Sequence, residues 1–329
     1  CAKKPETLTA RFHDYYFNSY SHVSIHEEML KDKTRTQTYI QAVMENKHLF
    51  KDAVVLDVGA GTGILSLLAA KAGARHVYAV EYSNSALLCE RIVQHNKLGD
   101  RITVVKAKIE DAELPVEKVD ILVSEWMGYM LLYENMLESV LFARDKWLKS
   151  DGYMFPDKAA LYAAGVEDGE YRYNRFSFWD NVYGFDFSPI KQTVLQEVVI
   201  DAIDPQSIVS STFCIGYFDL KTVKNEELDF ASRFHLVFTK KQYCHALVVW
   251  FNISFPGHLP LVLSTSPSSK VTHWKHAVLY FEDYLPVHVG DQLNCMIAIK
   301  RNCINRRNLD IKLKWEFANK SQLQLFYLQ

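Results

Sequence analysis

Residues 54–63 read VVLDVGAGTG, and this stretch decides the fold. The β-branched run at its start is typical of a buried strand, and the apolar residues 64–72 after it predict a helix. Between the two, Gly59, Gly61 and Gly63 carry no Cβ that would keep a ligand from the backbone, and they permit a tight turn. A strand, a glycine-rich turn and a helix in this order predict a nucleotide site at the edge of a parallel sheet.

Strands and helices continue to alternate up to about residue 150. Further strands are predicted at residues 77–80, 102–105 and 119–123, and further helices at residues 85–96 and 135–148. Asp151-Gly152 is expected to stop the last of these helices. Because this alternation is the signature of βαβ units, we expect an α/β domain with a parallel sheet.

The pattern changes after Phe155-Pro156. Alternating apolar and polar residues at 245–251 and 309–317 predict strands with one buried face. Residues 168–190 are instead dense in aromatic side chains at helical spacing, which predicts an insertion with an apolar face of its own. Exposed apolar patches of this kind usually mark a contact with another protein.

Composition bounds the class of protein. A chain of 329 residues exceeds one small core, so two domains are expected. The net charge of −2 provides no basic field, and direct binding of nucleic acid is therefore not expected. The six cysteines include no CxxC pair, which argues against a metal site or a disulfide framework and favours a reducing compartment. No apolar run is long enough to span a bilayer. We expect a cytoplasmic protein, also found in the nucleus, with no metal and no membrane contact.

Two acidic residues narrow the choice of nucleotide. Glu81 stands at the end of the second strand, at the spacing of about 20 residues after the glycines that suits an acid on a ribose. Asp57 lies beside the glycines, where a carboxylate suits a cationic methionyl group better than the diphosphate of a dinucleotide. The pattern favours S-adenosylmethionine, with NAD and an empty glycine-rich turn as the alternatives.

Two further acids flank the loop after the fourth strand. Residues 124–136 read SEWMGYMLLYENM, with Glu125 just after the strand and Glu134 where the next helix begins. Ligands bind at this edge of open α/β sheets, and Gly128 lets the loop turn back so that the two carboxylates face each other. Acids near a helix start are usually caps or solvated side chains. The other side chains of this loop are too apolar for a solvated surface.

Two carboxylates in a dry pocket repel each other, so the pKa of at least one should rise. A guanidinium relieves this repulsion, because its five donors can satisfy both acids with charge-assisted hydrogen bonds of about 1.5–3 kcal/mol each. Arginine is a poor nucleophile, since its pKa exceeds about 12. A pair of acids that orients the guanidinium and draws charge from one nitrogen therefore suits methyl transfer to arginine, and Glu125 and Glu134 are the candidate catalytic residues.

Residues 124–136 resemble the double-glutamate loop of the protein arginine methyltransferases, and residues 55–63 are similar to that family's cofactor motif. The likeness covers nearly the whole chain. It implies a type I enzyme that uses S-adenosylmethionine to make mono- and asymmetric dimethylarginine, leaving S-adenosylhomocysteine. The implied architecture has N-terminal helices that cover the cofactor at 1–50, a Rossmann-like domain at 51–155, and a β-barrel domain at 156–329 with a helical dimerisation arm at about 168–190.

The resemblance also implies roles for individual residues. The implied cofactor-binding residues are Tyr20, His26, Met29, Arg35, Asp57, Gly59, Gly61, Gly63, Glu81 and Glu110. The implied substrate pocket consists of Tyr16, Met29, Met136 and Trp274. His273 of the Thr272-His273-Trp274 loop is expected to pair with Asp32 and to join the two glutamates as a catalytic residue. Met29 and this loop together indicate the asymmetric product.

Three positions depart from the family pattern, namely Asn18, Asn135 and His276. Asn135 lies inside the double-glutamate loop, so its effect on activity stays open. The resemblance implies arginine-containing protein substrates such as Gly/Arg-rich RNA-binding proteins or histones. It also implies a dimer, with an identical or a related subunit. A catalytically silent regulatory subunit and a small-molecule methyltransferase are the alternative readings.

Overall fold

A five-stranded parallel sheet forms the first half of the protein. The computed structural model describes residues 16–257 and 261–329. The strands are β1 Val54–Val58, β2 His76–Val80, β3 Ile102–Val105, β4 Val119–Val123 and β5 Leu148–Phe155, in the spatial order β3-β2-β1-β4-β5. All four pairings are parallel. Every residue of β1 is buried, as expected for a strand covered on both faces, which explains its continuous apolar run.

Helices cover this sheet. Those before the sheet are α1 Val23–Lys31, α2 Lys33–Glu45 and α3 Lys47–Phe50. Those that alternate with its strands are α4 Ile64–Lys71, α5 Ser85–His95 and α6 Met136–Trp147. The predicted alternation of strands and helices is confirmed in type and in order. The start of the N-terminal region predicted to cover the cofactor, residues 1–15, lies outside the described residues.

One predicted boundary is wrong. Asp151-Gly152 does not stop a helix but lies inside β5, which begins at Leu148, directly after the end of α6. Pairing with β4 overrides the local turn signal, and a register shift between Val119 and Ile121 adapts the two strands to each other. A Cβ at Gly152 would lie 3.0 Å from the Asp120 carbonyl oxygen, so close backbone approach explains this glycine.

Two antiparallel sheets form the second half. The strands are β6 Lys158–Val166, β7 Val199–Asp201, β8 Phe213–Asp219, β9 Phe230–Val237, β10 Gln242–Phe255, β11 Leu261–Ser264, β12 His276–Val287, β13 Gln292–Arg301, β14 Leu309–Phe317 and β15 Lys320–Leu328. One sheet has the order β7-β12-β10-β6-β8 with β11 beside β10, and the other has the order β15-β14-β13-β9. Phe281 of the first sheet packs on Trp315 of the second, with ring centroids 5.6 Å apart. Buried side chains of both sheets share one core with the parallel sheet. Others from the first sheet form a second cluster with the helical segment between β6 and β7. The predicted β-barrel domain is confirmed.

A helical insertion separates β6 from β7. It contains α7 Gly169–Ser177 and α8 Lys191–Leu195, so it extends slightly beyond the predicted residues 168–190. Its tip exposes apolar side chains, with Tyr183 96% exposed and Phe185 70% exposed. Within the described residues, no helix is long and apolar enough to cross a membrane. The same part of the chain contains no group of three or more His, Cys, Asp or Glu side chains placed to hold a metal ion.

Candidate active site

A pocket opens at the carboxyl ends of β1, β2 and β4, between the parallel sheet, α1 and the loop before β12. It brings together most of the residues that the sequence singled out: Tyr16, Tyr20, His26, Met29, Arg35, Gly59, Gly61, Glu81, Glu110, Glu125, Glu134, Met136, His273 and Trp274. Gly63, Asp32 and Asp57 do not line it. The pocket is therefore built from both halves of the chain.

The glycine-rich turn has backbone angles that require glycine. Gly59 and Gly63 have φ values of 72° and 91°, in the left-handed region that other residues rarely adopt. A Cβ at Gly59 would lie 2.2 Å from Cε of Met136, and a Cβ at Gly63 would lie 2.6 Å from Sγ of Cys89. Gly59 thus lets the turn approach the start of α6, and Gly63 lets α4 begin against α5.

The acid at the end of β2 is fixed against this turn. The Glu81 carboxylate accepts hydrogen bonds from the backbone N–H of Gly61 at 2.9 Å and of Ser83 at 2.7 Å. Glu110 also lines the pocket and accepts a hydrogen bond from the Ser139 hydroxyl at 2.6 Å. A left-handed glycine turn with an oriented acid beside it fits the adenosine part of S-adenosylmethionine, because ribose hydroxyls can donate to such an acid.

Asp57 occupies a different position from the one expected of a ligand-binding acid. Its side chain is fully buried behind the glycine turn, where one carboxylate oxygen accepts a hydrogen bond from Ser66 Oγ at 2.7 Å. The other oxygen has no hydrogen-bond partner among the described residues. Burial raises the pKa of this carboxyl to about 7. The predicted direct contact with the cofactor therefore stays a prediction.

Glu125 holds a guanidinium of the protein itself. Arg35 donates to Glu125 Oε2 from Nε at 2.8 Å, and its Nη2 lies 2.7 Å from the same oxygen. Both side chains are only 8% exposed. Arg35 Nη1 also donates to the carbonyl of Met29 at 3.2 Å, which ties the pair to α1. A carboxylate at this position can therefore bind a guanidinium in a largely dry environment.

Glu134 is the second acid of the loop, and the Tyr20 hydroxyl donates to its Oε2 at 2.7 Å. Burial raises the pKa of Glu134, the hydrogen bond from Tyr20 lowers it, and the nearby charge of Glu125 raises it. The net shift is upward. The prediction that one acid of the pair has a raised pKa is therefore confirmed for Glu134.

The loop that carries the two acids has an unusual backbone. Its four non-glycine residues with positive φ values are Met130, Leu131, Glu134 and Asn135. Such residues cost about 1–3 kcal/mol each and cluster at functional sites. The backbone N–H of Gly128 donates to the carbonyl of Leu131 at 3.1 Å, and a Cβ at Gly128 would lie 2.0 Å from the Tyr133 carbonyl oxygen. The turn predicted at Gly128 is confirmed.

The structure accounts for Asn135, one of the departures from the family pattern. Its φ of 55° lies in the left-handed region, which asparagine tolerates better than most non-glycine residues. Its side-chain amide donates to the Glu138 carboxylate in the first turn of α6. Asparagine therefore suits the backbone at this position.

His273 and Asp32 form the expected pair. His273 Nδ1 lies 2.8 Å from Asp32 Oδ2, and the backbone N–H of His273 donates to the same oxygen at 2.9 Å. The other Asp32 oxygen accepts from the backbone N–H of Arg35 at 3.0 Å and so caps α2. Next to this pair, Trp274 is buried and donates from Nε1 to the carbonyl of Met127 at 2.8 Å.

The segment that contains Tyr16 and Tyr20 closes the pocket from the N-terminal side. His26 Nε2 lies 2.8 Å from the Tyr20 carbonyl oxygen and 2.7 Å from Ser85 Oγ, which joins the segment to the start of α5. Burial raises the pKa values of Tyr16 and Tyr20 well above the ordinary value, so both hydroxyls remain hydrogen-bond donors.

Sequence analysis missed Arg307, which lines the same pocket. It lies in the turn between β13 and β14, where Arg306-Arg307 in a polar segment is typical of a solvated loop. No motif marks this position.

This fold and pocket define an S-adenosylmethionine-dependent methyltransferase. Residues 55–152 match the model described as "Methyltransferase domain", and residues 157–322 match "Arginine methyltransferase oligomerization subdomain". The chain is 50% identical over 305 residues to "Protein arginine N-methyltransferase 1" of Chlamydomonas reinhardtii, which covers 92% of this chain and 88% of that protein. It is also 50% identical over 311 residues to the protein of the same name from Schizosaccharomyces pombe, with 94% and 91% covered.

Solved structures agree with these relatives. The "Trypanosoma brucei PRMT1 enzyme-prozyme heterotetrameric complex with AdoHcy" contains a chain with a TM-score of 0.92 and 44% identity, covering 95% of this chain and 100% of that one. Arabidopsis thaliana protein arginine methyltransferase 10 has a TM-score of 0.87 at 30% identity, with 95% and 100% covered. The chain belongs to the protein arginine methyltransferase family. It is a type I enzyme that methylates arginine of proteins with S-adenosylmethionine, giving mono- and asymmetric dimethylarginine, and it forms oligomers.

Proposed function

We propose that this enzyme methylates arginine in Gly/Arg-rich segments of RNA-binding proteins and in histones, and that Glu125 and Glu134 hold the guanidinium. The observation that carries the proposal is the pair of acids on one pocket wall, of which Glu125 already binds a guanidinium at 2.7 Å. Charge-assisted hydrogen bonds of this kind contribute about 1.5–3 kcal/mol each. Glycine beside the arginine adds no side-chain bulk and leaves the backbone flexible, which would ease entry of such a segment into the pocket.

Each residue then has a definite task. When bound, S-adenosylmethionine supplies an electrophilic methyl group on its sulfonium. Glu81 and Glu110 would hold the adenosine, and Arg35 would reach the cofactor carboxylate while keeping Glu125 in place. Glu125 and Glu134 would hold the guanidinium so that one nitrogen faces this methyl group, and transfer would leave the S–C electron pair on sulfur. The nitrogen loses one proton in this step, and His273, oriented by Asp32, is the proposed acceptor.

Met29, Met136, Tyr16 and Trp274 would form the apolar wall around the reacting nitrogen. Removing water from this wall strengthens every charge interaction in the pocket. The size of the wall also decides whether a monomethylated nitrogen can re-enter for the second transfer, and thus which dimethyl isomer forms.

The insertion between β6 and β7 is the proposed dimerisation arm. Its exposed aromatic tip, with Tyr183 and Phe185, suits burial against a second subunit. The partner is an identical copy or a related chain, as in the trypanosome complex named above. Light scattering after size exclusion should give a dimer or a larger assembly, and Tyr183→Asp with Phe185→Asp should shift it towards the monomer.

We further propose the cytoplasm and the nucleus as its locations. Cys89 and Cys244 are buried as thiols, which suits a reducing compartment. Fractionation of cells that express a tagged chain would test this; enrichment in a secreted or membrane fraction would contradict it.

The decisive experiment is mass spectrometry of a Gly/Arg-rich peptide after incubation with the protein and S-adenosylmethionine, with fragmentation to separate the dimethyl isomers. Asymmetric dimethylarginine supports the proposal. A symmetric product, or monomethylarginine alone, contradicts the role given to Met29 and the loop at His273. Cofactor binding without any methylation would identify a silent subunit or a missing partner chain.

A further inference from the structure

The turn between β13 and β14 reaches across from the second half of the chain to the double-glutamate loop. The backbone N–H of Glu134 donates to the Arg307 carbonyl at 2.7 Å, and Arg307 Nη1 donates to the Glu134 carbonyl at 2.6 Å. These two hydrogen bonds hold both backbone polar groups of Glu134, whose φ is 71°. The left-handed backbone that aims the Glu134 carboxylate into the pocket is thus secured by a residue 173 positions away.

The same guanidinium supports the N-terminal segment. Its central carbon lies 3.6 Å from the ring centroid of Tyr16 and 5.1 Å from that of Phe17, which places the cation over the aromatic faces. Tyr16 packs on Tyr20 with centroids 5.0 Å apart, and the Tyr20 hydroxyl donates to the Glu134 carboxylate at 2.7 Å. Arg307, Tyr16, Tyr20 and Glu134 therefore form a closed ring of contacts.

The Arg307 side chain has one buried polar atom left unpaired within the described part of the chain. Its Nε is buried and has no hydrogen-bond partner among the described residues. Its positive charge lies close enough to oppose the upward shift of the Glu134 pKa. Arg307 as a whole is half-buried. Burying a polar N–H group without a hydrogen-bond partner is costly, so the unpaired Nε indicates that the position of this side chain serves the site.

The turn that carries Arg307 is well fixed. Asn302 Nδ2 donates to Asp310 at 2.8 Å, and Asn305 Nδ2 donates to Asn308 at 3.1 Å. At the end of β13, Arg301 Nε donates to Asp229 at 2.8 Å. A rigid turn can transmit a fixed position to the loop that it contacts.

We propose that Arg307 is a positioning residue through which the second half of the chain holds Glu134 and the cofactor-covering segment in their working arrangement. One side chain therefore contacts both the segment that covers the cofactor and the loop that carries Glu134. This inference rests on the proposed roles of Glu134 and of the N-terminal segment. Loss of Arg307 is expected to weaken cofactor binding and to lower turnover together, while the fold persists.

Calorimetric titration of S-adenosylhomocysteine tests the contact between Arg307 and the N-terminal segment. This measurement needs no protein substrate, so its result is separable from a failure of the proposed function. Arg307→Gln should weaken this binding about 3- to 30-fold, the range of one lost cation–π contact. Arg306→Gln is the matched control, because Arg306 is 54% exposed and pairs with Glu138 outside the pocket. Equal affinities for the two variants would overturn the proposal.

A double-variant cycle tests the coupling to Tyr16. Tyr16→Leu removes the ring, and Arg307→Gln removes the cation above it. If they act through one contact, the double variant binds S-adenosylhomocysteine within about twofold of the weaker single variant. Losses that simply multiply would show that the two residues act separately and would refute the positioning role.

The pH dependence of kcat/KM tests the effect of Arg307 on the Glu134 carboxyl. The groups that act on its carboxyl are Tyr16, Tyr20, Glu125 and Arg307. Because the Arg307 charge favours the ionised carboxylate, Arg307→Gln should move the acidic limb to higher pH, whereas Arg307→Lys should keep it in place and still bind the cofactor more weakly. A limb unmoved in the Gln variant would contradict the proposal. If the Gln variant does not fold, Arg307→Lys and Tyr16→Leu carry the affinity test.

Discussion

The Asp32 carboxylate receives two hydrogen bonds from His273, one from the backbone N–H at 2.9 Å and one at Nδ1 at 2.8 Å. Burial opposes ionisation of Asp32, but the hydrogen bonds from His273 and Arg35 outweigh it and lower the pKa. An ionised Asp32 fixes the histidine tautomer with Nδ1 protonated, which leaves Nε2 free to accept a proton. The same acid caps the helix that carries Arg35, so one residue orders both sides of the pocket.

Replacing Asp32 by Asn should lower kcat more than it changes KM for a peptide substrate. Hydrogen bonds to charged groups contribute about 1.5–3 kcal/mol, so a loss of about 10- to 100-fold is expected in steady-state assays. Lys33→Gln is a suitable control, since the side chain of that exposed neighbour forms no hydrogen bond with the described residues. An Asp32→Asn enzyme with near-normal kcat would remove the pair from the mechanism.

Glu134→Gln should reduce turnover about 10²–10³-fold, as expected when one preorganised electrostatic partner of the transition state is lost. The amide still accepts the hydrogen bond of Tyr20, so the pocket should keep its shape and its affinity for S-adenosylhomocysteine. Single-turnover methylation of an arginine peptide measures the effect on chemistry.

Glu117→Gln provides the matched control, because it makes the same chemical change at an exposed position. If Glu134→Gln retained more than about a tenth of wild-type turnover, the guanidinium would have to be held by other groups.

Activity should fall as the pH is lowered through the raised pKa of Glu134. Burial raises this pKa, and only the ionised carboxylate can share a guanidinium with Glu125. The acidic limb of kcat/KM should therefore lie above the ordinary range of a glutamate, and the Tyr20→Phe variant should move it higher, since the Tyr20 hydroxyl lowers this pKa. A profile with no such limb in either enzyme would contradict the role of Glu134 as an ionised acid.

Features that are determined by a few neighbouring residues could be predicted from the sequence, whereas features that depend on residues far apart in the chain could not. The strand, turn and helix around Gly59 were predictable, because periodicity and glycine geometry act over a few residues. The edge strand at Asp151-Gly152 was not, because pairing with β4 decides it and the local sequence favours a turn. The family resemblance placed His273 beside Asp32, although no local pattern joins positions 241 residues apart.

Arg307 shows the limit of motif-based reasoning. Its function depends on contacts with Glu134 and Tyr16, which lie in other parts of the chain, and on a rigid turn that has no motif. Asp57 shows a different limit. Its side chain in β1 accepts a hydrogen bond from Ser66 of α4, and its predicted contact with the cofactor stays a prediction. Alternate residues of a strand point to opposite faces, so a place beside a binding turn does not by itself decide which way a side chain points.

The Gly59→Ala variant should lose cofactor affinity and some stability. Its φ of 72° is unfavourable for alanine by about 1–2 kcal/mol, and the new Cβ would lie 2.2 Å from the Met136 side chain. Adding Met136→Ala removes the clash but not the backbone cost. The double variant should therefore recover affinity for S-adenosylhomocysteine only in part, and full recovery would show that the left-handed turn is not needed.

Asp57 should make the protein less stable as the pH rises. Its pKa is raised by burial from 3.8 to about 7, so the folded state favours the protonated acid more than the unfolded state does. By linkage, this contribution to the free energy of unfolding is fully present below about pH 4 and is lost as the pH rises through 7. The loss amounts to a few kcal/mol, since each pKa unit corresponds to about 1.4 kcal/mol.

Urea unfolding of the wild type and of Asp57→Asn between pH 5 and 8, values chosen around that pKa of about 7, measures this loss of stability. Asparagine cannot ionise, so the stability difference between the two proteins should shift in favour of the variant as the pH rises. A difference that stays constant over this range would mean that Asp57 is already ionised in the folded protein, and its unpartnered oxygen would then need a cation or a donor to hold it.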